Sequence, residues 1–219
     1  SELQDWLMQK VKQICSTKEG LEAFRLQKGI LKKLPEEIVL LAIFGIQKFV
    51  DTDQVLLKPV IGSQNHDAIV TDFRTKPASK GYIEITQAHE GENDYFRRCE
   101  LLKTGFVFSN APVIKTGKGK NRKVSILPEA TSVEEGVKNE LNRIVEAAKK
   151  KACKEYPVNT SLIIFFDDMT LSNEKLDVLN YPKIDDFVNN DILTLDMRFS
   201  HLYLVGEAKE VFREYPIKR

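Results

Sequence analysis

The chain is poor in the residues that mark soft-metal and redox centres. It has three cysteines, Cys15, Cys99 and Cys153, widely spaced and without a Cys-x-x-Cys pair, and only three histidines. Such a thiol set argues against a disulfide framework and a cysteine-based zinc site, and fits a reducing cytoplasm. So few histidines nearly exclude a His-rich metal site. No apolar run approaches the roughly 18 residues of a membrane span. The segment from Ser1 to Trp6 is acidic and amphipathic, unlike a signal peptide. With a net charge of +1 no overall field attracts a polyanion, so nucleic-acid contact has to come from local clusters. Internal repeats and Gly-, Ser- or Pro-rich linkers are also missing. What is present, 42% hydrophobic and 30% charged residues over 219 positions, describes one substantial core with at most a small appendage.

Over residues 3 to 34, Leu3, Trp6, Leu7, Val11 and Ile14, then Leu21, Phe24, Leu26, Ile30 and Leu34, recur at helical spacing. One or two helices are expected there, as an N-terminal appendage over 1–34. Pro35, Glu36 and Glu37 open a helix, apolar on nearly all sides from Ile38 to Phe49. Three strands follow in quick succession, Val55 to Val60, His66 to Phe73 and Tyr82 to Ala88, which are most easily joined as an antiparallel meander. A charged helix is expected from Glu92 to Lys103, stopped by Gly105. Residues 106 to 131 are irregular, with a short strand at Val124 to Leu127.

Ser132 and Glu135 form a capping box for the clearest helix, whose Val133, Val137, Leu141, Ile144, Val145, Ala148 and Ala152 share a face. Lys149, Lys150, Lys151 and Lys154 suit its C-terminal end, where they cap and solvate. Thr160 to Phe166 reads as a central strand buried on both faces, closed by a turn at Asp167 and Asp168. A helix broken at Pro182 is expected from Leu176 to Val188. A last central strand follows at Leu202 to Val205, with an edge at Val211 to Tyr215. The order implies an α/β fold: a mixed central sheet with helices on both faces, in one main domain over 35–219 with an insertion at about 89–131.

Two strands each carry an acid among apolar and β-branched neighbours: Asp67 in one, Glu84 in the next. An unpaired ionised carboxylate is costly to desolvate, and paired strands lie only about 5 Å apart. A shared divalent cation removes that cost, and Mg²⁺ or Mn²⁺ suits hard carboxylate oxygens. Alternation puts Glu84 and Thr86 on one face and Gln87 on the other, so Gln87 needs a bulge to reach the same site. The plain alternative is a solvated Asp67, with Glu84 paired to Lys80 or Lys103.

The order of elements, with Asp67 leading one strand and Glu84-Ile85-Thr86 in the next, resembles the PD-(D/E)XK phosphodiesterase superfamily of restriction endonucleases and repair nucleases. The resemblance spans roughly Glu36 to Val205 outside the insertion. It implies a restriction-endonuclease-like αβββαβ core and metal-dependent cleavage of nucleic acid, DNA favoured over RNA. The metal would be held by Asp67, Glu84 and the Ile85 carbonyl, with Glu36 or Glu37, here Glu37, as an additional ligand. Thr86 stands at the position of the motif lysine and His66 at that of its proline. Thr86 or Gln87 is expected to contact the attacking water, with Lys80 and His89 as other stand-ins for the lysine. The basic run holding Lys115, Lys118, Lys120, Arg122 and Lys123 is the expected phosphate contact or, equally, a solvated loop; its spacing is not that of a Walker loop. A homodimer is compatible with all of this. The other readings are a catalytically inactive relative that binds nucleic acid or a protein, and a purely structural protein.

Overall fold

The computed structural model describes residues 2–27, 29–50, 52–108, 111–130, 132–168 and 184–217. The chain divides into two units, residues 1–35 with 89–132 and residues 36–88 with 133–219.

The larger unit is organised by the strand Thr160–Phe166, six of whose seven residues are buried. Being β-branched or aromatic and apolar on both sides, it needs a layer on each face. Leu162, Ile164 and Phe166 enter one core, with Ile144 and Ala148. Ile163 and Phe165 enter the other, with Leu40, Leu41 and Phe44. We label the elements in chain order. The larger unit contains helices α3 (Val39–Lys48) and α5 (Val133–Ala152) and strands β1 (Val55–Pro59), β2 (Ala68–Asp72), β3 (Ser79–Gln87), β6 (Thr160–Phe166), β7 (His201–Gly206) and β8 (Phe212–Pro216). The strands form one mixed sheet in the order β1-β2-β3-β6-β7-β8. β1, β2 and β3 are an antiparallel meander, β3, β6 and β7 run parallel, and β8 returns antiparallel at the edge.

The meander, the central strands and the edge thus lie where the sequence pattern puts them, with β2 shorter than expected. The expected helix from Leu176 to Val188 falls mostly outside the described residues; a helical segment covers 184–192. Among the described residues no helix is long and apolar enough to cross a membrane.

The smaller unit holds α1 (Glu2–Ile14), α2 (Lys18–Arg25), α4 (Glu92–Thr104) and a hairpin of β4 (Val113–Thr116) and β5 (Lys123–Ile126). Thr17 caps α2 by accepting the Gly20 N–H, and Gly105, at φ 79°, ends α4 in the left-handed conformation glycine tolerates. Its buried cation, Arg97, lies between the carboxylates of Glu90 and Asp94 and donates to the Ala111 carbonyl. The sequence pattern shows β5 but not β4, which has two apolar residues and draws its order from its partner.

Asp168, fully buried, accepts the backbone N–H groups of Ala208, Glu210 and Val211 at 2.8 to 3.1 Å. It thereby fixes the turn from β7 to β8. A side chain at Gly206 would sit 1.8 Å from the Asp168 carboxylate, so this close approach requires glycine. Asp168→Ala should lower stability by at least about 4 kcal/mol, since it removes three hydrogen bonds to a charged group, each contributing about 1.5–3. Gly206→Ala should cost at least about 2 kcal/mol by overpacking. Urea unfolding of both variants checks this; wild-type midpoints would refute the assignment.

Candidate metal centre

Asp67 precedes β2 and is held on both sides by backbone. Its N–H donates to Ile83 (2.7 Å), its carbonyl accepts from Val60 (2.8 Å), and its Oδ2 accepts the Ile85 N–H at 2.7 Å. The carboxylate therefore takes the place of the next β2 residue where that strand stops pairing. The Ile85 carbonyl points the same way as its N–H, because alternate residues of a strand address the same neighbour.

Glu84, only 7% exposed, stands on the α5 face of β3, since Ile83 and Ile85 belong to the opposite core. Lys151 Nζ, near the end of α5, donates to Glu84 Oε1 at 2.5 Å, and the Tyr156 hydroxyl approaches the same oxygen at 3.4 Å. Burial, then the charge of Asp67, raise the Glu84 pKa above its ordinary value, against the lowering by Lys151 and Lys154. The donor set of two carboxylates and a carbonyl consists of hard oxygens, the kind that suits a divalent cation such as Mg²⁺ or Mn²⁺. Among the described residues no group of three or more His, Cys, Asp or Glu side chains is gathered in one place. Any protein ligand set here is thus two carboxylates completed by backbone.

Not every expected residue joins this cluster. Thr86 shares Glu84's face. Gln87 does not: the β3–β6 register is unbroken through Gln87 opposite Phe165, without a bulge, and its amide donates to Glu207. Lys80 covers the Tyr82 ring four residues from Glu84, about 13 Å along a strand. Glu37 lies in the turn Leu34–Ile38 that leads into α3, which packs on the Ile83 and Ile85 face of the sheet. His66 packs edge-on against Tyr82, ring centroids 4.8 Å apart. Glu84's partner is Lys151, not Lys80 or Lys103.

The basic run forms the β4–β5 hairpin with its 3-10 turn at Gly119–Asn121, which carries Lys120. Lys115 and Arg122 both donate to Glu92 of α4 and both cover the Phe96 ring. Those bonds, Arg122's first, hold the Glu92 carboxyl down at about 2. Lys118 and Lys123 are exposed. Two of the five cations thus brace the hairpin on its own helix.

The sequence reading missed Lys151, Tyr156 and Glu140. The signal for Lys151 was its position: it follows Ile144 and Ala148 on the buried stripe of α5, while Lys149 and Lys150 lie off it. Glu140 is on the same side, eleven residues earlier, three turns to within about 20°. It accepts the Asp167 N–H (3.1 Å) and pairs with Arg143 (2.8 Å).

Burial outweighs Arg143 and pushes Glu140 from 4.5 up to about 7. A carboxyl raised on folding contributes stability that is complete below its unfolded pKa and fades as pH rises through the folded one. Between pH 5 and pH 8 Glu140 should therefore withdraw about 2–3 kcal/mol. The stability difference between wild type and Glu140→Gln should shift by that amount in urea titrations at the two pH values. A difference independent of pH would refute it.

Comparison with known proteins places the chain beside none of them: no family model, no curated protein and no solved structure matches it.

Proposed function

We propose that the chain is a divalent-metal-dependent nuclease of the PD-(D/E)XK kind. The observation that carries this is Lys151 on the Glu84 carboxylate, beside Asp67. The resemblance leaves the lysine position of the strand to Thr86. A helix-borne lysine now meets the same acid from α5, so the acid pair and its cation are complete without it. With the insertion that carries α4, β4 and β5 set aside, the order α3, β1, β2, β3, α5, β6 agrees with the αβββαβ order that the resemblance implies.

In this reading Asp67, Glu84 and the Ile85 carbonyl hold Mg²⁺ or Mn²⁺, which when bound neutralises charge on the scissile phosphate and lowers the pKa of water. Lys151 orients the attacking water and offsets charge as it builds on the phosphate. Tyr156 steadies the Glu84 oxygen that Lys151 shares. Three free cysteines fit a cytoplasmic setting, and DNA remains the favoured substrate over RNA. The alternative, a binding module without activity, rested on the missing lysine and is the lesser reading with Lys151 in place.

The decisive assay incubates plasmid, linear duplex, single-stranded DNA and RNA with Mg²⁺ or Mn²⁺. Cleavage is expected, with Asp67→Asn and Glu84→Gln abolishing it together with the thermal shift the metal produces. Lys151→Met should keep that shift but slow cleavage at least about 100-fold, the scale of one lost transition-state donor. Metal affinity should rise with pH through the raised Glu84 pKa, because ligation displaces a proton. If no substrate is cut, or the variants cut as fast as wild type, the proposal is wrong.

A further inference from the structure

Beside Glu84 lies a cavity of about 300 Å³, lined by Gln64, Asn65, Glu84, Lys154, Glu155 and Tyr156. Its walls come from the loop before Asp67 and from the chain just after α5. They are tied together, because Asn65 Nδ2 donates to the Glu155 carbonyl at 2.9 Å. The Tyr156 ring is fixed against Phe199, centroids 4.5 Å apart. Such a cavity is formed before any ligand arrives, and its size is at the lower end of small-molecule sites, about 300–1,000 Å³.

Its chemistry is divided. Glu84, with Asp67 behind it, is the metal end. Lys154 is a cation suited to a phosphate, close enough to lower the Glu84 pKa. Gln64 and Asn65 offer amides that both donate and accept, the pattern that reads base edges. Size then selects the substrate. At about 300 Å³ the cavity stands at the small end of ligand sites, room for one extruded nucleotide and not for a stretch of paired duplex. Unpaired bases are the ones that can be splayed into such pockets.

The geometry points to this cavity as the subsite for a single unpaired nucleotide next to the scissile phosphate, making single-stranded nucleic acid, including frayed ends, the substrate class. The assignment rests on the nuclease reading of the Asp67–Glu84 site. Lys154 meets that nucleotide's phosphate, and Gln64 and Asn65 meet its base.

The test measures fluorescence anisotropy of labelled single-stranded DNA, single-stranded RNA and blunt duplex DNA, with Ca²⁺ filling the oxygen ligands. Cleavage in Mg²⁺ is measured in parallel. One of the single strands should bind at least about tenfold tighter than duplex, the DNA and RNA arms telling which sugar is accepted. Lys154→Ala and Gln64→Ala, both exposed enough to fold normally, should each weaken it about three- to tenfold, the range of one lost hydrogen bond or charge. Lys149→Ala removes the same charge from the exposed side of α5 and should leave binding unchanged. Equal or tighter duplex binding, or variants that keep the full preference, would overturn the inference even if the protein cuts DNA. A preference that depends on Lys154 and Gln64 without cleavage in Mg²⁺ would uphold the subsite while refuting the nuclease reading.

Discussion

The end of α5 is held on the sheet by one ion pair, Lys151 on Glu84. Glu84 sits in β3, between the end of the antiparallel meander and the first of the parallel strands. It is buried, 7% exposed, with Asp67 adding charge of the same sign. Removing one partner of a buried pair costs about 3–5 kcal/mol, because the remaining charge is left in a poor solvent. That cost explains why the end of α5 cannot drift from the sheet. It also explains why Tyr156, just past the helix, is drawn in to the same oxygen.

A second carboxylate, Glu140, holds α5 three turns before Lys151. Glu140 accepts the Asp167 N–H at the end of β6, while Lys151 reaches β3. Since β3 and β6 are parallel neighbours, the helix connecting them is tied to both strands it joins, at points three turns apart. The hydrophobic stripe between the ties, Ile144, Ala147 and Ala148, fixes its height above the sheet, and the ties themselves fix its position along it. Apolar contact is non-directional, so packing alone would not set where Lys151 arrives. The two polar ties do.

Much of the fold was legible in the sequence. The run Thr160 to Phe166 announced a central strand, the closely spaced strands before it a meander, and Val133 to Ala152 a long amphipathic helix, because local periodicity decides such elements. The acid pair was also legible, since two carboxylates in apolar strands need compensation wherever they stand. What compensates them was not. Lys151 belongs to a run of three lysines that reads as a solvated helix end, and only its phase relative to Ile144 and Ala148 separates it from Lys149 and Lys150. Gln87 needed a bulge to reach the site, and the uninterrupted β3–β6 register has none, so it stays on the face that alternation gave it. The basic run was read from charge alone, and charge does not tell which cations are already taken. Lys115 and Arg122 share Glu92, a partner more than twenty residues away.

The origin of the lysine changes what the site requires of the rest of the chain. A lysine on the acid's own strand, two residues on, is positioned by the backbone of that strand and needs nothing else. A lysine brought by a helix is positioned only as well as the helix is docked. The cation at Glu84 therefore depends on the buried stripe of α5 and on Glu140, neither of which touches the acid pair. The constraint runs the other way too: with a lysine arriving from α5, β3 itself carries no cation beside Glu84, and its Thr86 is a β-branched residue that favours the strand. Helix docking is thus the means by which a positive charge is placed on Glu84.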